Sequence, residues 1–171
     1  MSTRRRHLFL AALLCWAGAA SATVPDGWRL VGAGEMRWFG FKLYDARLWA
    51  PGTPSADTIQ EGAFALELRY AREITSQRLV AASIEEIERL GEIPAQHVVA
   101  WRQTLSRIFH DVRPGETIIG VHHPERGAEF FHQGQRTGHI ADNRFARRFF
   151  AIWLDPRTRE PDLRARLLGA D

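Results

Sequence analysis

Arg37 is the residue best suited to chemistry, because it follows the glycine-rich run Gly32-Ala33-Gly34-Glu35 near the start of the chain. A guanidinium stays charged and offers forked donors, so it suits an enolate, a phenolate or a carboxylate. Tyr44 follows within a few residues and could place a hydroxyl beside it. The plainer readings are an exposed strand arginine and a tyrosine filling a strand face with its hydroxyl at the rim. Arg47 shares the strand parity of Arg37 if no bulge intervenes, but pairs most simply with Asp45 or Glu67. Six histidines lie beyond the N-terminal segment: His97, His110, His122, His123, His132 and His139. His122 and His123 are adjacent and so point to opposite faces of a strand, and no HExxH or carboxylate-histidine spacing occurs. The expectation is therefore no metal, with the strand histidines facing solvent. No Gly-x-Ser-x-Gly turn is present, which argues against hydrolase chemistry.

The N-terminus reads as an export signal. Arg4, Arg5 and Arg6 form a basic start, Leu8 to Leu14 an apolar run, and Ala20-Ser21-Ala22 a small-x-small cleavage pattern. Residues 1–22 are thus expected to be a signal peptide cut after Ala22, with residues 23–171 the mature domain in the periplasm or outside the cell. The twin arginines loosely fit the twin-arginine route, but the general route is the simpler reading. Cys15, the single cysteine, falls in this segment, so the mature chain has no thiol nucleophile and no Cys-ligated metal. Removing the three signal arginines leaves 20 bases against 20 acids. The basic isoelectric point therefore belongs to the signal, and nucleic acid is not an expected partner. At 171 residues, 45% apolar and 25% charged, the chain suits one domain with one core. No stretch suffices for a stable membrane span.

The elements that must position these residues follow from periodicity. Trp28 to Val31 reads as a short strand and Gly32-Ala33-Gly34 as a turn or bulge. Met36 to Ala50 reads as one long bent strand, or a strand pair with a bulge near Gly40. Phe64, Leu66, Leu68 and Tyr70 alternate cleanly with Glu67 and Arg69 between them, as in a strand. Thr75 or Ser76 caps a helix over 77–90, and Pro94 opens a second one carrying Val98, Trp101, Leu105 and Ile108. Strands over 117–122, 130–132 and up to Ile140 follow, the last two joined at Gln133-Gly134. Asp142 caps a helix with Phe145, Phe149 and Trp153 on one face, Pro156 stops it, and Pro161 begins a last helix. Strands fall in hairpin-like groups rather than alternating with helices. The expected class is α+β, an antiparallel bent sheet with a helical layer on one face.

Three blocks carry a family resemblance: GAGEMRWFGFKLYDARLWA, WRQTLSRIFHDVRPGE, and EFFHQGQRTGHIADNRFARRFFAIWLDPRTREPDLRARLLG. Together they resemble the bacterial, exported branch of the chalcone isomerase-like proteins, over essentially the whole mature chain. The resemblance implies an open-faced β-sandwich with a ligand cleft between sheet and helices. It also implies, at Arg37, the position of an arginine that steadies the substrate oxyanion in the plant enzymes. Those enzymes add a tyrosine and an asparagine at the start of the first helix, and a hydroxyl residue late in the aromatic helix. Here the corresponding regions hold Ile74, Ala81 and Ala82, and Ile152-Trp153. What the resemblance then implies is cofactor-free, non-catalytic binding of a small amphipathic or fatty-acid-like ligand with Arg37 at its polar end, where the reading of the residues adds Tyr44. The alternatives are a cofactor-independent isomerase of the intramolecular lyase kind using Arg37 as oxyanion stabiliser, and a structural partner in an envelope assembly. The sequence names no protein partner.

Overall fold

The computed structural model describes residues 24–170, so the expected signal peptide over 1–22 lies outside the described residues. Six strands pair antiparallel in chain order: β1 Arg29–Trp38, β2 Phe41–Ala50, β3 Phe64–Tyr70, β4 Thr117–His123, β5 Gly127–His132 and β6 Gln135–Ile140. Four helices cover one face: α1 Ser76–Arg89, α2 Ala95–Ile108, α3 Asn143–Leu154 and α4 Pro161–Leu167. This is the expected α+β arrangement. The meander needs no crossover, because each strand returns beside its predecessor and the helical excursion through α1 and α2 leaves β3 and re-enters beside it as β4, while α3 and α4 follow the last strand.

Alternation along the strands builds the core. Leu48, Phe64, Leu66 and Phe130 turn to the helices, which answer with Ile84, Ile87, Leu105, Phe145, Phe150 and Leu154, all essentially sealed from solvent. Phe149 meets Phe130 edge-on at 5.2 Å between centroids, and Phe150 meets Phe64 likewise at 4.9 Å. Such pairs add about 0.5–1.5 kcal/mol each beyond the area they bury. Asp142 starts α3 as its spacing predicts, accepting from the N–H groups of Arg144 and Phe145.

The structure differs from the sequence reading at the first strand. Of the two readings of Gly32-Ala33-Gly34 the turn fails, since the run lies within β1, while a register shift between Leu30 and Gly32 agrees with the bulge. The glycines are there because α4 lies against them. A Cβ on Gly32 would sit 2.0 Å from the Arg166 carbonyl oxygen, and one on Gly34 would sit 2.7 Å from Leu163 Cδ1. The true reversal comes later, at Phe39-Gly40, where both residues have positive φ, 46° and 79°. That is the two-residue turn whose twist suits a hairpin. The 36–50 stretch is therefore a strand pair.

Candidate functional site

Tyr44 sits at the centre of the most distinctive polar arrangement in the apolar layer. It lies on β2 on the face that also presents Ala46 and Leu48, and its cross-strand partner on β3 is Tyr70. The two rings meet edge-on at 5.7 Å. From α3, Trp153 Nε1 donates to Tyr44 Oη at 3.0 Å. Burial pushes the Tyr44 phenol up to about 12; the Trp153 hydrogen bond opposes this, and the nearby Glu160 and Glu86 carboxyls add to it. Burial, then Tyr44 itself, raises Tyr70. Both phenols are therefore neutral at ordinary pH and can donate or accept a hydrogen bond without serving as bases.

Two carboxyls, Glu160 and Glu86, lie near Tyr44. Glu160, between α3 and α4, is raised by burial, by Asp162 and by Glu86. Glu86 on α1 is held by Arg89 at 2.9 Å and Arg159 at 2.8 Å. The Arg164 guanidinium donates to the Leu154 carbonyl at 2.8 Å and ties α4 to the end of α3. The arrangement offers a hydrogen-bonding spot for a neutral polar group at the edge of a large apolar layer.

Arg37 does not join it. Gly34 and Met36 face the helices, so Glu35 and Arg37 face away. A register shift follows, with Met36 opposite Tyr44 but Arg37 opposite Lys42. Arg37 ends at the hairpin tip, 54% exposed, with Nε 2.5 Å from Glu35 Oε1 and Nη1 donating to the Gly40 carbonyl at 3.0 Å. The expected neighbourhood of Arg37 and Tyr44 is thus corrected: strand parity and the bulge put them on opposite faces of the sheet. Arg47 stands on that outer face, 3.7 Å from Glu67, as its spacing suggests.

The neighbours His122 and His123 take opposite faces of β4 in the same way. His123 pairs with Glu129 at 3.4 Å, and His132 with Glu116 at 3.1 Å. His122, expected to face solvent, is buried: it stacks on Phe64 at 4.9 Å and its Nδ1 lies 2.8 Å from the Gly62 carbonyl. Burial lowers its pKa and keeps the ring neutral. Among the described residues, no three His, Cys, Asp or Glu side chains are grouped to hold a metal.

Two surface hollows lie on the helical side. One of about 340 Å³ is lined by Asn143, Arg144, Arg147 and Arg148; another of about 650 Å³ is lined by Glu88, Gly91, Glu92, Ile93 and Pro94. Neither reaches Tyr44. The apolar cluster that Tyr44 packs against is filled by the chain's own side chains, Leu48, Leu66, Ile84 and Leu154 among them. Sequence reasoning singled out Tyr44 but missed Tyr70 and Trp153 as its partners. The available signal was parity, since Tyr70 shares its face with Leu66 and Leu68, and Tyr44 shares its own with Ala46 and Leu48.

Residues 23–169 match the sequence model of a family described as chalcone isomerase-like. No curated protein matches the chain. Among solved structures, a fatty-acid binding protein of Arabidopsis thaliana superimposes with a TM-score of 0.67, covering 86% of this chain and 89% of that one at 14% identity. At that identity the likeness is one of fold.

Proposed function

Since the chain belongs to the chalcone isomerase-like family, we propose that it is a non-catalytic binder of an amphipathic, acyl-chain-like ligand. The tail lies between the sheet and the helical layer, and the polar end meets Tyr44, Tyr70 and Trp153. One observation carries this reading: a phenol–indole hydrogen bond set in an otherwise apolar layer, with a second phenol in contact. The fatty-acid binding protein of like fold supports the ligand class.

The surroundings refine the head group. Glu160 and Glu86 lie close enough to Tyr44 to raise its pKa, and the guanidinium groups of Arg89 and Arg159 are already engaged by Glu86. A bare carboxylate at Tyr44 meets acids, whereas a hydroxyl, a carbonyl or a protonated acid meets donors and acceptors. Fatty alcohols and protonated fatty acids are the ligands that fit. Arg37 takes no part in this contact.

Calorimetric titration with long-chain fatty alcohols and fatty acids tests the reading. The expected result is one-to-one binding, weakened roughly tenfold in Tyr44→Phe, as the loss of one hydrogen bond of about 1.4 kcal/mol gives. Arg37→Ala is expected to bind as the parent does. Absence of binding by every acyl compound, or a loss confined to Arg37→Ala, overturns it.

A further inference from the structure

The tip of the β1–β2 hairpin carries the largest exposed apolar side chains of the described residues. Trp38 is 63% exposed, Phe39 83% and Phe41 60%, and they are consecutive but for Gly40. Trp38 and Phe39 touch edge-on at 4.9 Å, and Phe41 stands opposite Trp38 in the strand register, so the three rings share the tip. Isolated exposed apolar residues are ordinary, but a contiguous aromatic cluster on a projecting turn is not.

The backbone adds an independent observation. Phe39 has φ 46°, the left-handed region, where a bulky side chain is disfavoured and asparagine or glycine is at home. Asn-Gly is the favoured dipeptide for such a turn. The chain instead holds Phe-Gly, at a cost to its own folding and with only the edge contact to Trp38 in return, since Phe39 is otherwise in solvent. A residue that harms the turn and fills no core is there for something outside the molecule.

We propose that this hairpin tip docks on an anionic lipid bilayer, with Trp38, Phe39 and Phe41 entering the interfacial zone. A projecting aromatic turn suits a soft, apolar interface that can close around it, and Trp is favoured where headgroups meet acyl chains. Cations stand directly behind the rings. The Arg72 guanidinium carbon lies 4.5 Å from the Phe41 centroid, and Arg37 and Lys42 flank the turn. From Arg37 to Lys42 there are two cations and no acid; Glu35 and Asp45, which pair with them, lie further from the tip along the strands. That order places positive charge at phosphate depth when the rings are inserted. Tyr44 lies three residues from Phe41, about 10 Å along the strand, so a docked tip brings the proposed polar spot to the membrane. The docking itself stands independently of any ligand.

The test uses the chain from Thr23 onward, which holds every described strand and helix, floated with vesicles of phosphatidylethanolamine and phosphatidylglycerol or of phosphatidylcholine alone. The parent is expected to float with the anionic vesicles. Arg72→Gln should weaken that binding by roughly fivefold, the value of one cation near such a surface. Phe39→Asn is the decisive variant. It should lose binding by on the order of tenfold or more while melting at the same or a higher temperature, because asparagine suits the turn. Equal flotation of Phe39→Asn and parent overturns the proposal. So does equal binding to both vesicle types, or a parent that binds neither and forms dimers which Phe39→Asn dissolves. Acyl-ligand binding unchanged in Phe39→Asn separates this outcome from failure of the ligand reading.

Discussion

Tyr44 accepts the Trp153 indole N–H across 109 residues of chain. Replacing it with phenylalanine keeps the ring contact to Tyr70 but leaves that N–H in an apolar layer without its acceptor. Tyr44→Phe should therefore lower stability by about 1–3 kcal/mol in urea denaturation, with an unchanged slope; an unchanged midpoint would show that the bond carries nothing. Asp142 poses a second residue-scale question. One of its oxygens accepts from the Arg144 and Phe145 N–H groups at 2.8 and 3.1 Å, and the other from Trp101 Nε1 at 3.0 Å. Burial opposes ionisation, but the hydrogen bonds from Phe145, Trp101 and Arg144 together outweigh it and hold the carboxyl below its ordinary range. A carboxyl lowered on folding stabilises the protein fully above its unfolded pKa of about 4, and that contribution fades as pH falls toward the lowered value. Asp142→Asn, still a good cap, should flatten the acid limb of a stability-versus-pH curve; a limb parallel to the parent's would exclude Asp142 as its source. The cap was legible in the sequence because capping is local. The Trp101 and Trp153 bonds were not, because they depend on which elements pack together. Arg37 was misjudged for a related reason: parity decides which face a strand residue takes, and one register shift alters what stands opposite it.

At the scale of elements, α4 and β1 show how close packing disguises itself as a turn signal. Glycine in a sequence announces backbone freedom or smallness, and only the neighbour decides which is meant. Here α4 decides, and the two glycines differ in what they spare. A methyl on Gly32 would strike backbone, the Arg166 oxygen at 2.0 Å and the Leu167 oxygen at 2.6 Å. A methyl on Gly34 would strike the end of the Leu163 side chain at 2.7 Å, which can swing aside. Gly32→Ala should thus cost about 1–3 kcal/mol, more than Gly34→Ala, and should speed amide exchange in α4 selectively. Equal losses, or protection of α4 unchanged in Gly32→Ala, would mean that β1 shifts instead of the helix. By contrast, the helices were readable almost to the residue. Thr75 caps α1 by accepting from the Arg78 N–H, Pro94 precedes α2, and Asp142 precedes α3. Their signals are spacing and caps, which need no knowledge of the fold. The short helical turn over Ile59–Glu61 carries no such pattern and was missed.

At the scale of the whole molecule, an acyl chain can enter only if two packed layers part, because the apolar cluster that Tyr44 packs against is occupied by side chains. The shortest of the four helices is α4, seven residues long, lying on the edge strand β1 and tied to the end of α3 by Arg164. Interiors resist gradual deformation, so uptake is expected to be a two-position event in which α4 lifts and reseats. That motion can be blocked chemically. An ideal Cβ on Gly34 lies 3.3 Å from Arg166 Cβ, close to the separation of about 3.5–4.5 Å that a disulfide spans. The only other cysteine, Cys15, falls in the expected signal segment. The double variant Gly34→Cys with Arg166→Cys should bind acyl ligands when reduced and fail to bind them when oxidised, with dithiothreitol restoring uptake. If the oxidised protein binds as well as the reduced one, the ligand does not pass beneath α4. The way in would then have to lie between α1 and α3, which carry Glu86 and Trp153 near Tyr44.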